Sequence, residues 1–194
     1  DQSLIGTNSL EALNTSYNAG YRDIKINICW TEDKEAVLLS SWNELPEYFH
    51  TRQNSEITLE SFRGLQMKNG LTSMDFLNLI DWIRERPDVK IYAQAERSQD
   101  YFMKCMENYA GSIMDQFVAE VPGIVEYSGL YPSILNIDVG GNSAEQLLEF
   151  IRLNNVKAVS MSKEAAAGIY RAILKADCIS YIRDDETGLF TKRN

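Results

Sequence analysis

Between Asp23 and Cys29 the chain alternates residue by residue, with Ile24, Ile26 and Ile28 on one side and Asp23, Lys25, Asn27 and Cys29 on the other. A period of two predicts a strand with one apolar and one polar face. Ahead of it Leu10, Leu13 and Tyr17 recur at helical spacing. Asn8 stands where an N-cap belongs, Glu11 three residues later where the carboxylate of a capping box belongs, and Gly20 where such a helix stops. Thr31–Lys34 reads as a turn and Ala36–Ser40 as a second strand. The link between these strands is too short for the helix of a βαβ unit.

Further on, Glu44–Glu56 with Pro46 reads as a loop, and Thr58 caps a short helix running to Leu65. Ser73 opens a helix whose stripe is Phe76, Leu77, Ile80 and Ile83, ended by Pro87. Strand and helix signals then alternate: strand Lys90–Ala95, helix Gln99–Ala110, strands Phe117–Val121 and Ser133–Ile137. Helix Ala144–Leu153, opened by the capping box Ser143/Gln146, leads to strand Val156–Ser160 and helix Glu164–Lys175. Strands Cys178–Ile182 and Leu189–Thr191 flank a turn at Arg183–Gly188. Eight strands with helices between most of them predict an α/β fold with a mainly parallel sheet, a (β/α) barrel in preference to an open doubly wound sheet. No repeat or low-complexity linker divides residues 1–194, so a single domain is expected.

Composition narrows the chemistry. At 194 residues with 44% hydrophobic content the chain is long enough for a sizeable core. A net charge of −9 argues against nucleic acid or an anionic membrane surface as partner. No apolar run approaches the ~20 residues of a membrane span. Cys29, Cys105 and Cys178 are far apart and odd in number, so buried free thiols are expected. His50 is the single histidine, which rules out a two-histidine mechanism within this chain; it is expected in an exposed loop.

The stretch Thr7–Trp42 resembles the glycerophosphodiester phosphodiesterase family, whose bacterial members carry a segment of the form TNSxEAxxxxYxxGYRxxEIDxxxTxDxxxVLxHDW. Thr7-Asn8-Ser9-Leu10-Glu11-Ala12, Tyr17, Gly20-Tyr21-Arg22, Thr31, Asp33, Val37-Leu38 and Trp42 fall in register with it. Thr58–Phe62, Pro87–Tyr92 and Gly188–Thr191 echo later family segments. The resemblance implies a phospholipase-C-like TIM barrel, here irregular: the family's first strand would precede Asp1, and its last βα unit is shortened. It also implies phosphodiester hydrolysis in lipid metabolism, assisted by Mg²⁺ or Ca²⁺ held by the Glu and Asp of ExD, with two histidines exchanging protons.

This chain departs from that pattern at each such position. Lys25 and Asn27 stand at ExD, and Ser40 and Ser41 at HD. Gln94, Glu96 and Glu120 stand at the later polar positions, and with Trp42 they complete a candidate barrel-mouth pocket. An ammonium repels a divalent cation, and a serine hydroxyl does not titrate near neutrality. No catalytic residue, metal ligand or cofactor is therefore expected. Lys25 has two readings: a tethered substitute for the metal that draws an anionic group into the mouth, or an ion pair with Glu96 or Glu120. Trp42 either packs or lines the mouth. Nothing near Ser40-Ser41 activates a nucleophile. Asp138–Asn142 reads as a turn in preference to an anion cradle. The Met and Tyr residues of Tyr101–Tyr109 read as core. The expectation is a non-hydrolytic binding or interaction module whose partner is an anionic small molecule or another protein; the alternative is an active phosphodiesterase with a relocated site.

Overall fold

The computed structural model describes residues 4–95, 99–124, 131–138, 142–176, 178–184 and 189–193. Helix α1 (Leu10–Asn18) precedes strands β1 (Asp23–Trp30) and β2 (Ala36–Leu38). A 3₁₀ turn at Trp42–Glu44, α2 (Leu45–Tyr48), α3 (Leu59–Gly64) and α4 (Phe76–Arg84) follow. The remainder runs β3 (Lys90–Ala95), α5 (Gln99–Ala110), β4 (Phe117–Pro122), β5 (Ser133–Asn136), α6 (Ala144–Leu153), β6 (Ala158–Ser162), α7 (Lys163–Lys175), β7 (Ile179–Asp184) and β8 (Leu189–Arg193).

These strands form one sheet in the order β2-β1-β3-β4-β5-β6-β7-β8. From β1 to β7 the neighbours run parallel, while β2 and β8 are antiparallel to theirs. The sheet curls into an incomplete TIM-type barrel. β8 comes up against β1 across the seam, where no ladder joins them among the described residues. Only residues 185–188 separate β7 from β8, too few for a crossover helix, so the last strand returns antiparallel.

The outer face of the sheet meets the helices. Ile24, Ile26 and Ile28 pack with Leu13, Phe76, Leu79, Ile80, Phe102 and Met106, and Val159 and Met161 with Leu147, Ile151, Ile169 and Ile173. The inner face is filled low in the barrel by Tyr92, Val118, Ile134 and Tyr181. A separate core of Cys29, Val37, Leu39, Trp42, Leu45, Phe49, Ile57, Phe62 and Met67 sits beneath the segment between β2 and α4.

Several local expectations are corrected. Ser9, not Asn8, caps α1 by accepting from the Ala12 N–H, and Asn8 adopts a positive φ of 50°. Asp75, not Ser73, opens α4 with a capping box closed by Asn78, and Leu77 points to solvent while Leu79 and Trp82 join the buried stripe. Glu44–Glu56 is partly helical, because Leu45 and Phe49 must reach the small core. On α5 Phe102, Met103 and Met106 are buried but Tyr101 and Tyr109 are half exposed. Cys29 and Cys178 are buried and Cys105 partly so.

Candidate functional site

Parallel barrels present their chemistry at the C-terminal ends of their strands. Here register decides which side chains face inward there. Lys25 is level with Tyr92, and Asn27 with Gln94; Glu120 is level with Ile134, Ser160 with Tyr181, and Ser162 with Arg183. Glu120, on the last turn of the pleat in β4, is wholly buried. Its Oε2 lies 2.7 Å from Lys25 Nζ, and its Oε1 accepts the Ser160 hydroxyl at 2.7 Å. Arg183 Nη1 stands 3.6 Å from the same Oε1. The guanidinium is shared: Nη2 pairs with Asp138, whose carboxylate also accepts the Ser162 backbone N–H at 2.8 Å. Lys163 and Asp184 pair beside it. Opposite charges are thus paired across the mouth, linking β1 to β4 and β4 to β7.

Around Asn27 the described partners are uncharged. Asn8 accepts the Asn27 backbone N–H at 2.9 Å and donates to Ser40 Oγ at 3.2 Å; Ser40 in turn donates to the Gly6 carbonyl at 3.3 Å. Ser41 caps the 3₁₀ turn by accepting from Asn43 N–H. Both serines are thus engaged in holding backbone. Of the two readings open for Trp42, the structure shows packing: the indole is buried, its Nε1 donates to the Trp30 carbonyl at 3.0 Å, and Phe62 meets it edge-on. Gln94 lies on the inner face, half buried. Glu96 lies outside the described residues, as do 139–141 of the Asp138–Asn142 turn. His50 is exposed, its N–H donating to Gln66 O at 2.9 Å.

Neither Asp138 nor Arg183 is expected at the mouth from the sequence, where both fall in turn signals. Gly188 and the acidic run Asp184–Glu186 signal a turn, which hid that β7 continues through Arg183 and turns it inward, two residues beyond Tyr181. That alternation was the available clue.

Deeper in the barrel Tyr181 and Tyr92 place their hydroxyls 2.7 Å apart, and Tyr92 donates onward to Asp23 at 3.0 Å. Burial, above all, pushes both phenols above the ordinary tyrosine range.

The positions shared with the phosphodiesterase segment are structural. Arg22 reaches Asp88 at 2.5 Å and lies 4.0 Å over the Tyr17 ring. Asp33 accepts from Thr31 Oγ1 at 2.6 Å and from the Leu59 N–H at 2.9 Å, clamping the start of α3 to the β1–β2 turn. Those bonds hold the Asp33 carboxyl below its usual range.

Neither a protein-family model nor a curated protein matches the sequence. Solved structures do match in three dimensions. A glycerophosphodiester phosphodiesterase from Agrobacterium tumefaciens superposes with a TM-score of 0.73 at 10% identity, covering 94% of this chain and 82% of its own. The enzyme from Thermotoga maritima gives 0.68 at 13% identity, over 91% and 79%. A phosphodiesterase from Oleispira antarctica, solved in complex with the product sn-glycerol-3-phosphate, gives 0.67 at 12%, over 94% and 80%. The fold is that of the glycerophosphodiester phosphodiesterases. At such identities the likeness establishes the architecture alone.

The divalent cation that this fold family implies does not suit the residues present. Mg²⁺ and Ca²⁺ take hard, mostly anionic oxygens. At the mouth an ammonium and an amide stand where the resemblance implies two carboxylates, and the buried Glu120 is paired with Lys25. Among the described residues no group of three or more His, Cys, Asp or Glu side chains is placed to hold a metal. No helix among them is long and apolar enough to cross a membrane.

Proposed function

We propose that this chain is a non-hydrolytic binding or interaction module built on a glycerophosphodiester phosphodiesterase barrel. The observation that carries the proposal is the contact of Lys25 Nζ with Glu120 at 2.7 Å, on the strand position where the family resemblance implies a metal-binding glutamate. Hydrolysis of a phosphodiester needs a neutralising cation and a group to move protons near neutral pH. Lys25 is engaged with a carboxylate, and Ser40 and Ser41 offer no titrating group in that range. Arg183 and Lys163, the other mouth cations among the described residues, have carboxylate partners too. This engagement favours a protein partner over a small anion.

Glycerophosphocholine and a chromogenic phosphodiester, assayed with Mg²⁺, Ca²⁺ or Mn²⁺, test the reading. No turnover above buffer is expected. Turnover that EDTA abolishes would overturn it in favour of an active phosphodiesterase with a relocated site. The Oleispira antarctica phosphodiesterase holds sn-glycerol-3-phosphate, which makes that compound the probe for the small-anion case. A saturable thermal shift at millimolar glycerol 3-phosphate would make the partner an anion; its absence supports a protein.

A further inference from the structure

Glu120 is wholly buried, where a bare carboxylate is costly unless every lone pair is met. Oε1 is met by Ser160 and approached by Arg183. Among the described residues the partner of Oε2 is the Lys25 ammonium, 2.7 Å away. Arg183 approaches the other oxygen, its Nη1 3.6 Å from Oε1 and its Nη2 paired with Asp138. Lys25 meets Oε2 by reaching from β1 past β3 to β4, a span of two strand spacings, about 10 Å. Asn27 and Gln94, side by side in the register, put amide groups on the same face. One buried carboxylate oxygen whose partner among the described residues is an ammonium, with neutral amides on the same face, is a donor set for a singly charged cation. It is too weakly anionic for a divalent ion and of the wrong sign for phosphate.

We propose that the barrel mouth is a cation site whose standing occupant is the protein's own Lys25 ammonium. Tethering makes the occupant intramolecular, so no free cation competes with it effectively. Once the side chain is shortened, the space it leaves takes a small primary alkylammonium, whose charge and three N–H donors reproduce those of lysine. The assignment is independent of whether the barrel hydrolyses a diester, and it is read without a turnover assay.

The test is chemical rescue of Lys25→Ala, followed by thermal unfolding. Loss of the partner of a buried charge is expected to lower Tm by roughly 5–10 °C. Ethylammonium chloride at tens of millimolar should restore at least half of that loss along a saturating curve. Sodium chloride at equal ionic strength should not, and neither should tetramethylammonium, which has no N–H. The double variant Lys25→Ala/Glu120→Gln should show no amine dependence. An unchanged Tm in Lys25→Ala, equal rescue in the double variant, or rescue by Ca²⁺ or Mn²⁺ in place of the amine would each overturn the proposal. If Lys25→Ala does not fold, Glu120→Gln alone tests the same contact from the other side. Acylation of Lys25, followed by peptide mapping, should then be at least several-fold faster than in the parent; an unchanged rate overturns the assignment.

Discussion

The carboxylate of Glu11 closes on Thr72 with both oxygens, Oε2 accepting the backbone N–H and Oε1 the hydroxyl, each at 2.8 Å. With the Leu10 N–H donating to the Thr72 carbonyl at 3.0 Å, it fastens the first turn of α1 to the segment that leads into α4. Burial pushes this carboxyl up, but the bonds from Thr72, with those from its own backbone and Ser9, outweigh it and the net displacement is downward. A carboxyl lowered in the folded state adds stability that is present above its unfolded pKa and lost as pH falls through the folded one. Glu11→Ala should therefore cost about 1 kcal/mol at neutral pH, a charged hydrogen-bonded pair discounted for its partial exposure. Urea unfolding at pH 7 and again at pH 3 checks this, since the gap between parent and variant should narrow in acid.

A larger loss is expected at Asp75. Its Oδ1 accepts the Asn78 N–H at 2.9 Å, Asn78 returns the favour to the Asp75 N–H at 3.2 Å, and Arg63 of α3 reaches Oδ2 at 2.6 Å. One buried carboxylate thus caps α4 and ties α3 to it. Asp75→Ala removes the cap and the ion pair together and should cost about 2–3 kcal/mol. Chemical denaturation measures it, and a cost under ~0.5 kcal/mol would mean the pairing adds nothing.

Tyr92 and Tyr181 make a pH prediction of the opposite sign. Burial holds both phenols protonated beyond the usual tyrosine range, and the neighbouring Asp23 adds to it. An acid whose folded pKa is raised leaves stability intact below its unfolded value, near 10. That stability is lost as pH climbs above it, because the unfolded chain ionises first. Tyrosinate absorbance should show a class of the ten tyrosines that titrates only as the protein unfolds in alkali. In the Tyr92→Phe/Tyr181→Phe variant that class should shrink by two and the alkaline midpoint should move upward.

Strands such as Asp23–Trp30 and Lys90–Ala95 were legible in the sequence because their alternation or apolar runs follow from which faces are buried, a local property. Caps were less so. Asn8, Ser9, Ser73 and Asp75 are all competent capping residues, and tertiary contacts chose among them: Asn8 is drawn away to Asn27 and Ser40, and Asp75 is fixed by Arg63. The mouth was half legible. Lys25 and Asn27 stand where the resemblance implies an acidic motif, which pointed to the mouth, and Glu120 is one of the two carboxylates expected as a partner of Lys25. That Glu120 meets Lys25 depends on strand order, which places β4 two strands from β1. Arg183 was hidden for another reason: its neighbours favour a turn, and pairing with β8 overrides them.

The three thiols should separate by reactivity. Cys29 is fully enclosed in the small core beneath α2 and α3, with Sγ donating to the Leu39 carbonyl at 3.2 Å, and Cys178 is buried against α6 and α7. Cys105, on α5, is only partly covered. Reaction with a disulfide reagent requires an exposed thiolate, so burial sets the rate at a given pH. Under native conditions one equivalent should react first, and Cys105→Ser should abolish that phase. The other two should react at the rate of local or global opening, slowly in buffer and at once in denaturant. Because Cys29 sits beneath the segment between β2 and α4, its rate relative to that of Cys178 reports whether that segment lifts from the barrel independently. Equal rates at Cys29 and Cys178, both tracking global stability, mean that the segment and the barrel unfold as one unit. A faster Cys29 means that the small core opens by itself.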